Sequence, residues 1–134
     1  MIVLDASAAV ELLLNTPLGE RVGERLSRSG ETLHAPHLLD VEVLHVVRRL
    51  RSAGTLGERR AMQVLADLGD LAMARYSHEE LIGRAWTLRA TLTAYDAMYV
   101  ALAEALDATV VTCDGRLARA HGHGAEVEVV ALAG

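Results

Sequence analysis

The chain contains no lysine and no phenylalanine, and only one cysteine, one tryptophan and two prolines among its 134 residues. The single cysteine, Cys113, excludes an intramolecular disulfide and a cysteine-rich zinc site, and it is typical of a protein from a reducing compartment. No run approaches the roughly 18 apolar residues that a membrane-spanning helix needs. The apolar start has no basic segment and is interrupted by Asp5, which argues against a signal peptide. These absences predict a cytoplasmic protein that does not insert into a membrane.

The chain is acidic overall, and arginine is its one type of basic residue besides histidine. The formal net charge is −5, and all 13 basic residues are arginines. Domains that bind nucleic acid without sequence preference are more often basic, so the balance argues against that class. It does not argue against an enzyme whose acidic residues hold divalent cations.

Strand-like and helix-like segments alternate along the sequence. Short apolar or β-branched runs predict strands at Met1–Asp5, Leu33–Ala35, Ala72–Tyr76, Ala108–Thr112 and Val127–Val130. Helical patterns predict helices at Ser7–Leu14, Leu18–Arg28, His37–Arg51, Glu58–Leu71, His78–Ala90, Tyr95–Leu106 and Arg116–Ala120. Ser7 is predicted to cap the first helix, and Pro17 to separate it from the second. Strands that alternate with helices indicate a parallel sheet covered on both faces.

The chain has the length and composition of one domain. Its residues are 51% hydrophobic and 23% charged, close to the average of globular proteins. No repeat or low-complexity linker divides the sequence, and its length is that of one ordinary domain. We therefore expect a single α/β domain over residues 1–134, with a central parallel sheet of four to five strands between layers of helices.

Four carboxylates occupy positions at which an open parallel sheet usually carries its functional site. Asp5 ends the first predicted strand, and Asp114 follows the strand ATVVT, so both lie at carboxyl ends of strands. Asp96 lies in the first turn of the helix YDAMYVALAEAL. Glu42 lies on the shoulder of the apolar stripe of the helix HLLDVEVLHVVRRLR, and Asp40 of the same helix remains an alternative to it.

Each of these acids also has an ordinary structural explanation. Asp5 has the position of a helix cap, Asp96 that of the last residue of a capping box, and Asp114 that of a turn residue. Glu42 is also compatible with a solvated edge of its helix. Only the combination, two acids at strand ends and two on neighbouring helices, indicates a shared site.

A cluster of carboxylates suits one kind of chemistry particularly well. Mg²⁺ and Mn²⁺ prefer carboxylate oxygens and retain several waters. Such ions activate water, orient it for in-line attack on a phosphodiester and stabilise the leaving oxyanion. The acids therefore predict metal-assisted hydrolysis of a phosphodiester.

The sequence resembles PIN-domain nucleases in four motifs, which follow the family's order across nearly the whole chain. The motifs are Asp5-Ala-Ser7 after the first strand, Glu42-Val43 with Arg49 on the long helix, Tyr95-Asp96-Ala97-x-Tyr99-x-Ala101, and Thr112-Cys113-Asp114. The last two together are specific, whereas the first alone is weak. The short single-domain form is similar to the VapC toxins of VapBC toxin–antitoxin pairs.

The resemblance implies a PIN-like fold and an endoribonuclease site. Asp5, Glu42, Asp96 and Asp114 would be the catalytic, metal-binding acids for Mg²⁺ or Mn²⁺. Ser7 and Thr112 would orient those acids by hydrogen bonds. The resemblance also implies cleavage of a structured RNA (a tRNA or a ribosomal RNA), a homodimer, and inhibition by a VapB-like antitoxin.

Two arginines are candidates for holding the RNA backbone. Arg49 projects close to Glu42 in helical angle, and Arg116 lies two residues after Asp114. Guanidinium groups bind phosphate through paired hydrogen bonds, although most arginines here have the positions of solvated helix ends. Two other functions stay open at this point: a PIN module that binds RNA or protein without catalysis, and a PIN nuclease that matures RNA rather than acting as a toxin.

Overall fold

A computed structural model describes residues 1–28 and 30–132. Five strands alternate with seven α-helices in these ranges. The strands are β1 (Ile2–Leu4), β2 (Leu33–Pro36), β3 (Met73–Tyr76), β4 (Thr109–Thr112) and β5 (Glu126–Val129). The helices are α1 (Ala6–Leu14), α2 (Pro17–Arg28), α3 (Leu38–Ser52), α4 (Glu58–Asp70), α5 (Ile82–Thr87), α6 (Ala94–Leu106) and α7 (Gly115–Arg119).

The five strands form one parallel sheet in the order β3-β2-β1-β4-β5. Val3 pairs with His34 on one side and with Val110 on the other, which places β1 at the centre. All the described ladders are parallel, as the alternation of strands and helices predicted. The α/β fold expected from the sequence is therefore confirmed, with five strands in the sheet.

Helices flank this sheet and bury its central strands. The whole of β1 is buried, as are Val110 and Val111 of β4. Helix α6 packs on β1, β2 and β4, whereas α1 packs on β4 and α3 packs on β2. Since central strands of a parallel sheet lose water on both faces, they need apolar side chains, which IVL supplies in β1 and Val110 and Val111 supply in β4.

The point at which the chain reverses direction across the sheet lies between β1 and β4. From β1 the chain proceeds through β2 to β3, and it then returns to place β4 on the other side of β1. Where the loops after two neighbouring strands run in opposite directions, a crevice opens at the carboxyl ends of those strands. Open α/β sheets bind their ligands in this crevice. Asp5 follows β1 at this crevice, and Cys113 and Asp114 follow β4.

The first helix begins one residue earlier than the sequence indicated. The predicted cap, Ser7, is wrong: Asp5 is the cap, and its Oδ1 accepts a hydrogen bond of 3.1 Å from the backbone N–H of Ala8. An aspartate satisfies a free helix-start N–H as well as serine does. The Ser7 hydroxyl is thereby available for another contact.

The helix predicted over residues 78–90 is also shorter than expected. A 3₁₀ turn at Glu79–Leu81 leads into α5, which ends at Thr87. The Thr87 hydroxyl donates to the carbonyl of Arg84 at 2.6 Å. Such back-bonding by threonine competes with regular helix geometry, and the chain continues in turns up to α6.

A close contact between α1 and α2 explains the glycine near the start of α2. A Cβ on Gly19 would lie 1.9 Å from the carbonyl oxygen of Glu11. Any side chain there would force the two helices apart. In residues 1–28 and 30–132, no helix is both long and apolar enough to cross a membrane.

Candidate functional site

Asp5 is held rigidly at the carboxyl end of β1. It is only 6% exposed, and both carboxylate oxygens accept hydrogen bonds. Oδ1 accepts from the Ser7 hydroxyl at 2.7 Å, and Oδ2 accepts from the Thr112 hydroxyl at 2.6 Å. Burial raises the pKa of this carboxyl, although the hydrogen bonds from Thr112, Ser7 and Ala8 lower it in part. A carboxylate held this way has one fixed orientation.

Ser7 and Thr112 tie the beginning of α1 to the end of β4. Their hydroxyl oxygens lie 3.2 Å apart. Ser7 Oγ accepts from the backbone N–H of Cys113 at 3.0 Å, and Thr112 Oγ1 accepts from that of Asp114 at 2.9 Å. The two hydroxyls therefore orient both Asp5 and the loop that carries Asp114.

Glu42 enters the same region from α3. Its Oε1 accepts a hydrogen bond of 2.7 Å from the hydroxyl of Tyr99, which is 2% exposed. Burial is the main cause that raises the pKa of Glu42, and the negative charges of Asp5 and Asp96 raise it further. Glu42 therefore lies within electrostatic reach of two other acids.

Asp96 stands in the first turn of α6, as its position in the sequence indicated. The Thr93 hydroxyl caps that helix by accepting the backbone N–H of Asp96 at 3.1 Å. Burial raises the pKa of the Asp96 carboxyl, and the charge of Asp114 raises it further, while Arg116 and Thr93 oppose this. Asp96 therefore belongs to the capped first turn of α6 and interacts with the other acids at the same time.

Asp114 differs from the other three acids because a cation already pairs with it. The guanidinium of Arg116 donates to both of its oxygens, at 3.2 and 2.9 Å, and the backbone N–H of Arg116 donates to Oδ1 at 2.9 Å. These hydrogen bonds hold the pKa of Asp114 below its ordinary value. Arg116 itself is a surface residue whose side chain is 81% exposed.

The charges of Asp5, Glu42 and Asp96 are not balanced by any ion pair within residues 1–28 and 30–132. Each carboxyl has a raised pKa, and burial is the largest cause in each case. Buried charges are costly unless something compensates them. The three acids therefore form a region that attracts a positive group.

The donor set suits a hard divalent cation. Its oxygens are carboxylates that repel one another in a partly dry pocket, which is the chemistry that Mg²⁺ and Mn²⁺ accept. In the described part of the chain, however, no three acidic, histidine or cysteine side chains are grouped closely enough to enclose an ion as they stand. Binding would require local adjustment, such as release of Asp114 by Arg116.

Asp40, the alternative to Glu42, has a structural partner. Its Oδ2 accepts from Arg75 at 2.8 Å, and Arg75 also donates to the carbonyl of Leu68 at 2.9 Å. This network joins α3 to β3 and to the end of α4. It leaves Glu42 as the acid of α3 that interacts with Asp5 and Asp96.

An open groove of about 860 Å³ borders Glu42 and the chain neighbours of the other candidate acids, Ser7, Tyr95 and Cys113. Its lining includes Glu42, Arg49 and the exposed ring of Tyr95, with apolar side chains from α1 to α3. Arg49 forms no ion pair with a described residue, so its guanidinium is available to a ligand. Cys113 also lines this groove, but burial raises the pKa of its thiol to about 11, which disfavours a thiolate nucleophile.

The residue that sequence reasoning missed is Tyr99. It was part of a recognised motif, but an aromatic residue inside an apolar helix ordinarily belongs to the core. Its spacing carried a signal, since residues three positions apart share a helix face and Tyr99 follows Asp96 by three. Only the fold shows that its hydroxyl meets Glu42.

Comparison with known proteins agrees with this geometry. The family model of the PIN domain matches residues 2–122. Ribonuclease VapC12 of Mycobacterium tuberculosis is 47% identical over 131 residues, which cover 98% of this chain and all of that protein. Ribonuclease VapC9 of the same organism is 44% identical over 117 residues, which cover 87% and 88% of the two chains.

Solved structures show the same fold at much lower sequence identity. The alignment with a DNA-bound VapBC from Salmonella typhimurium covers 97% of this chain and 98% of the matched chain, with a TM-score of 0.72 and 16% identity. VapC20 of Mycobacterium tuberculosis, described as a toxin that cleaves the sarcin–ricin loop, covers 89% and 94%, with a TM-score of 0.67 and 16% identity.

The parallel five-stranded α/β sheet flanked by helices is the fold that these solved structures share with this chain. With a matching family model and full-length relatives, this chain belongs to the PIN-domain family and, within it, to the VapC ribonucleases.

Proposed function

We propose that this chain is a divalent-metal-dependent endoribonuclease that acts as the toxin of a toxin–antitoxin pair. The observation that carries this proposal is the set of acids Asp5, Glu42 and Asp96, which interact at the reversal point of the sheet and form no ion pair with a described residue. The relatives named as VapC ribonucleases support the same reading over the full length of the chain.

The proposed metal ligands are Asp5, Glu42, Asp96 and Asp114, and the proposed ion is Mg²⁺ or Mn²⁺. When bound, such an ion lowers the pKa of a water and stabilises charge on the leaving oxygen. Ser7 and Thr112 hold Asp5 in one orientation through hydrogen bonds of 2.7 and 2.6 Å. Their role is to keep the ligand set preorganised before an ion arrives.

The proposed substrate is a structured RNA, a tRNA or a ribosomal RNA. Arg49 borders the groove beside Glu42, and Arg116 borders Asp114. Arginine binds phosphate through paired hydrogen bonds, so Arg49 is proposed to hold a phosphate of the RNA, and Arg116 to do so once its guanidinium is released from Asp114. The cleavage of the sarcin–ricin loop by VapC20 is an example of such a target.

The proposed partner is a VapB-like antitoxin, as the VapBC assemblies among the solved structures suggest. The groove beside the acids has an apolar lining that includes Val10, Leu18, Leu38 and Val46. An amphipathic helix or extended tail fits such a groove, and an arginine or lysine on it would neutralise the uncompensated acids. Coexpression with the neighbouring gene and copurification tests this partner.

The homodimer implied by the family resemblance also stays a proposal. Light scattering on the purified chain tests it directly. A mass close to twice the 14.4 kDa of one chain would support it, and a mass equal to that of one chain would refute it.

The decisive experiment compares Asp5→Asn with a matched substitution away from the site. Asparagine retains an Oδ1 for the Ala8 N–H, so α1 stays capped. Asp67→Asn removes an exposed carboxylate on α4 and serves as the control. We expect wild type and Asp67→Asn to cut RNA only with Mg²⁺ or Mn²⁺ and to stop bacterial growth on expression, whereas Asp5→Asn does neither.

Sequencing of RNA 5′ ends after induced expression identifies the target in the same experiment. Equal cleavage by wild type and Asp5→Asn would refute the proposed site. Binding of RNA without cleavage by wild type would favour a non-catalytic PIN module. Cleavage that trims a precursor without arresting growth would favour a nuclease of RNA maturation.

A further inference from the structure

The hydrogen bond between Tyr99 and Glu42 joins two helices at the site. Tyr99 lies on α6 and Glu42 on α3, and both helices pack on β2. The Tyr99 side chain is almost fully buried, and its hydroxyl donates to Glu42 Oε1 at 2.7 Å. A buried hydroxyl that lacks a partner is costly, so this donor and this acceptor satisfy each other.

The geometry of Glu42 makes this bond more than a packing contact. Glu42 is half-buried, and the negative charges of Asp5 and Asp96 act on it. Like charges favour a carboxylate that turns away toward water. Within residues 1–28 and 30–132, Tyr99 is the hydrogen-bond donor to Glu42, and Oε2 accepts no hydrogen bond from a described residue.

Tyr99 also stands on the same helix as another candidate ligand. It follows Asp96 by three residues, so one face of α6 supplies a carboxylate and, about one turn further along, a phenol. A rotation or shift of α6 would therefore move Asp96 and the support of Glu42 together. The arrangement couples two acids that come from different segments of the chain.

We propose that Tyr99 is a positioning residue for Glu42: its hydroxyl fixes Oε1 and leaves Oε2 to bind the divalent ion. The inference rests on the proposed function, since it assigns a support to one ligand of that site. Hydrogen-bond partners that orient metal ligands commonly contribute 10- to 100-fold to metal affinity or activity. The phenol is neutral, so it orients the carboxylate without cancelling its charge.

The test removes one oxygen atom from Tyr99 and measures metal binding directly. Tyr99→Phe keeps the ring in the core and deletes the hydroxyl. Titration of Mn²⁺ by calorimetry is expected to give a Kd about 10-fold higher than in wild type. For RNA cleavage at saturating Mn²⁺, kcat is expected to fall about 10-fold, with KM for RNA unchanged.

A matched control comes from another phenol of the chain. Tyr76 lies on β3, and its hydroxyl hydrogen-bonds to His34 Nδ1 at 2.6 Å, outside the acidic cluster. Tyr76→Phe therefore deletes a comparable hydroxyl, and we expect wild-type Mn²⁺ affinity and cleavage. Thermal unfolding without metal shows how much stability each deletion costs.

A double substitution distinguishes a loss of Glu42 orientation from a general loss of protein stability. Once Glu42→Gln has removed the charged ligand, adding Tyr99→Phe is expected to change neither the Mn²⁺ affinity nor the cleavage rate further. If Tyr99→Phe binds Mn²⁺ and cuts RNA as wild type does, or only unfolds at lower temperature, the positioning role is refuted. If wild type itself neither binds Mn²⁺ nor cuts RNA, it is the proposed function that fails.

Discussion

The acids at the reversal point of the sheet differ from the acids elsewhere in what balances their charge. Asp5 and Glu42 accept hydrogen bonds from neutral hydroxyls, and burial is the main cause that raises their pKa values. On the periphery, Glu104 accepts two hydrogen bonds from Arg84, of 2.8 and 3.0 Å, and its pKa is lowered. Arg25 likewise pairs with Glu128.

Helix α3 contains both kinds of acid two residues apart. Asp40 is paired with Arg75, which anchors the helix to β3, while Glu42 is bonded to the neutral phenol of Tyr99. The guanidinium of Arg75 neutralises the charge of Asp40, whereas the phenol of Tyr99 orients Glu42 and leaves its charge uncancelled. We propose that this difference separates a structural acid from a metal ligand on α3.

The largest effect is expected when the two acids of α3 are neutralised separately. Glu42→Gln is expected to reduce RNA cleavage about 100-fold or more, since loss of a ligand exceeds the usual effect of losing its support. Asp40→Asn is expected to leave kcat within about twofold and to lower stability by about 1 kcal/mol, because it weakens the bond to Arg75. Cleavage assays and urea unfolding of both variants measure this contrast.

The contrast would fail in a recognisable way. If Asp40→Asn abolished cleavage while Glu42→Gln did not, the two acids of α3 would have exchanged roles. If both variants kept full activity, the ligand set would have to be found elsewhere in the chain.

The second prediction concerns stability without metal. Asp96 has a raised pKa in the folded state, mainly through burial, so the folded protein holds that proton more tightly than the unfolded chain. Its ionisation therefore destabilises the metal-free protein as pH rises from the ordinary aspartate value through the raised one. Glu104 has a lowered pKa, so its contribution is stabilising and is lost as pH falls through the lowered value.

Neutralising these two acids should accordingly change stability in opposite directions. At neutral pH without metal, Asp96→Asn is expected to raise the thermal midpoint and Glu104→Gln to lower it. At about pH 3, where carboxyls are largely protonated, the gain of Asp96→Asn should disappear. Mn²⁺ should stabilise wild type more than Asp96→Asn. A lower midpoint for metal-free Asp96→Asn at neutral pH would contradict the idea of an uncompensated cluster.

Much of the architecture was predictable because it depends on local patterns. The buried strands IVL and TVVT, the alternation with helices and the acids at strand ends all follow from sequence periodicity. The order of the strands then brings together Asp5 and Thr112, which are 107 residues apart. Here local signals were sufficient because a parallel sheet aligns the carboxyl ends of its strands.

What was not predictable depends on single long-range contacts. The contacts that distinguish Asp40 from Glu42 come from Arg75 and Tyr99, which are 35 and 57 residues away from their partners. Helical periodicity left both acids beside the apolar stripe, since it describes a helix and not its neighbours. The early end of α5 also escaped prediction: beyond Thr87 the backbone N–H groups of Leu88 and Arg89 bond to carbonyls three residues back, so the α-helical pattern ends there.

The smallest effect is expected at Asp114, which combines features of both groups of acids. Its negative charge acts on Asp96, as in the acidic cluster. Its own charge is neutralised by Arg116, as the charge of a peripheral acid such as Glu104 is neutralised by an arginine. An exposed ion pair is weak, so an incoming ion can displace the guanidinium at modest cost. Arg116→Ala is expected to lower the Kd for Mn²⁺ about threefold, because the ion no longer competes with the guanidinium for the Asp114 carboxylate. The same variant is expected to raise KM for RNA, because a phosphate contact is lost.

Arg119→Ala is the matched control for this last experiment. Arg119 lies on the same short helix and acts on Asp114 only through its charge, without a hydrogen bond to it. Arg119→Ala is expected to change the Kd for Mn²⁺ less than Arg116→Ala does. Equal Mn²⁺ affinity in wild type and Arg116→Ala would mean that Asp114 binds no ion. Asp114 would then belong with Asp40 and Glu104 among the structural acids, and the metal would rest on three carboxylates.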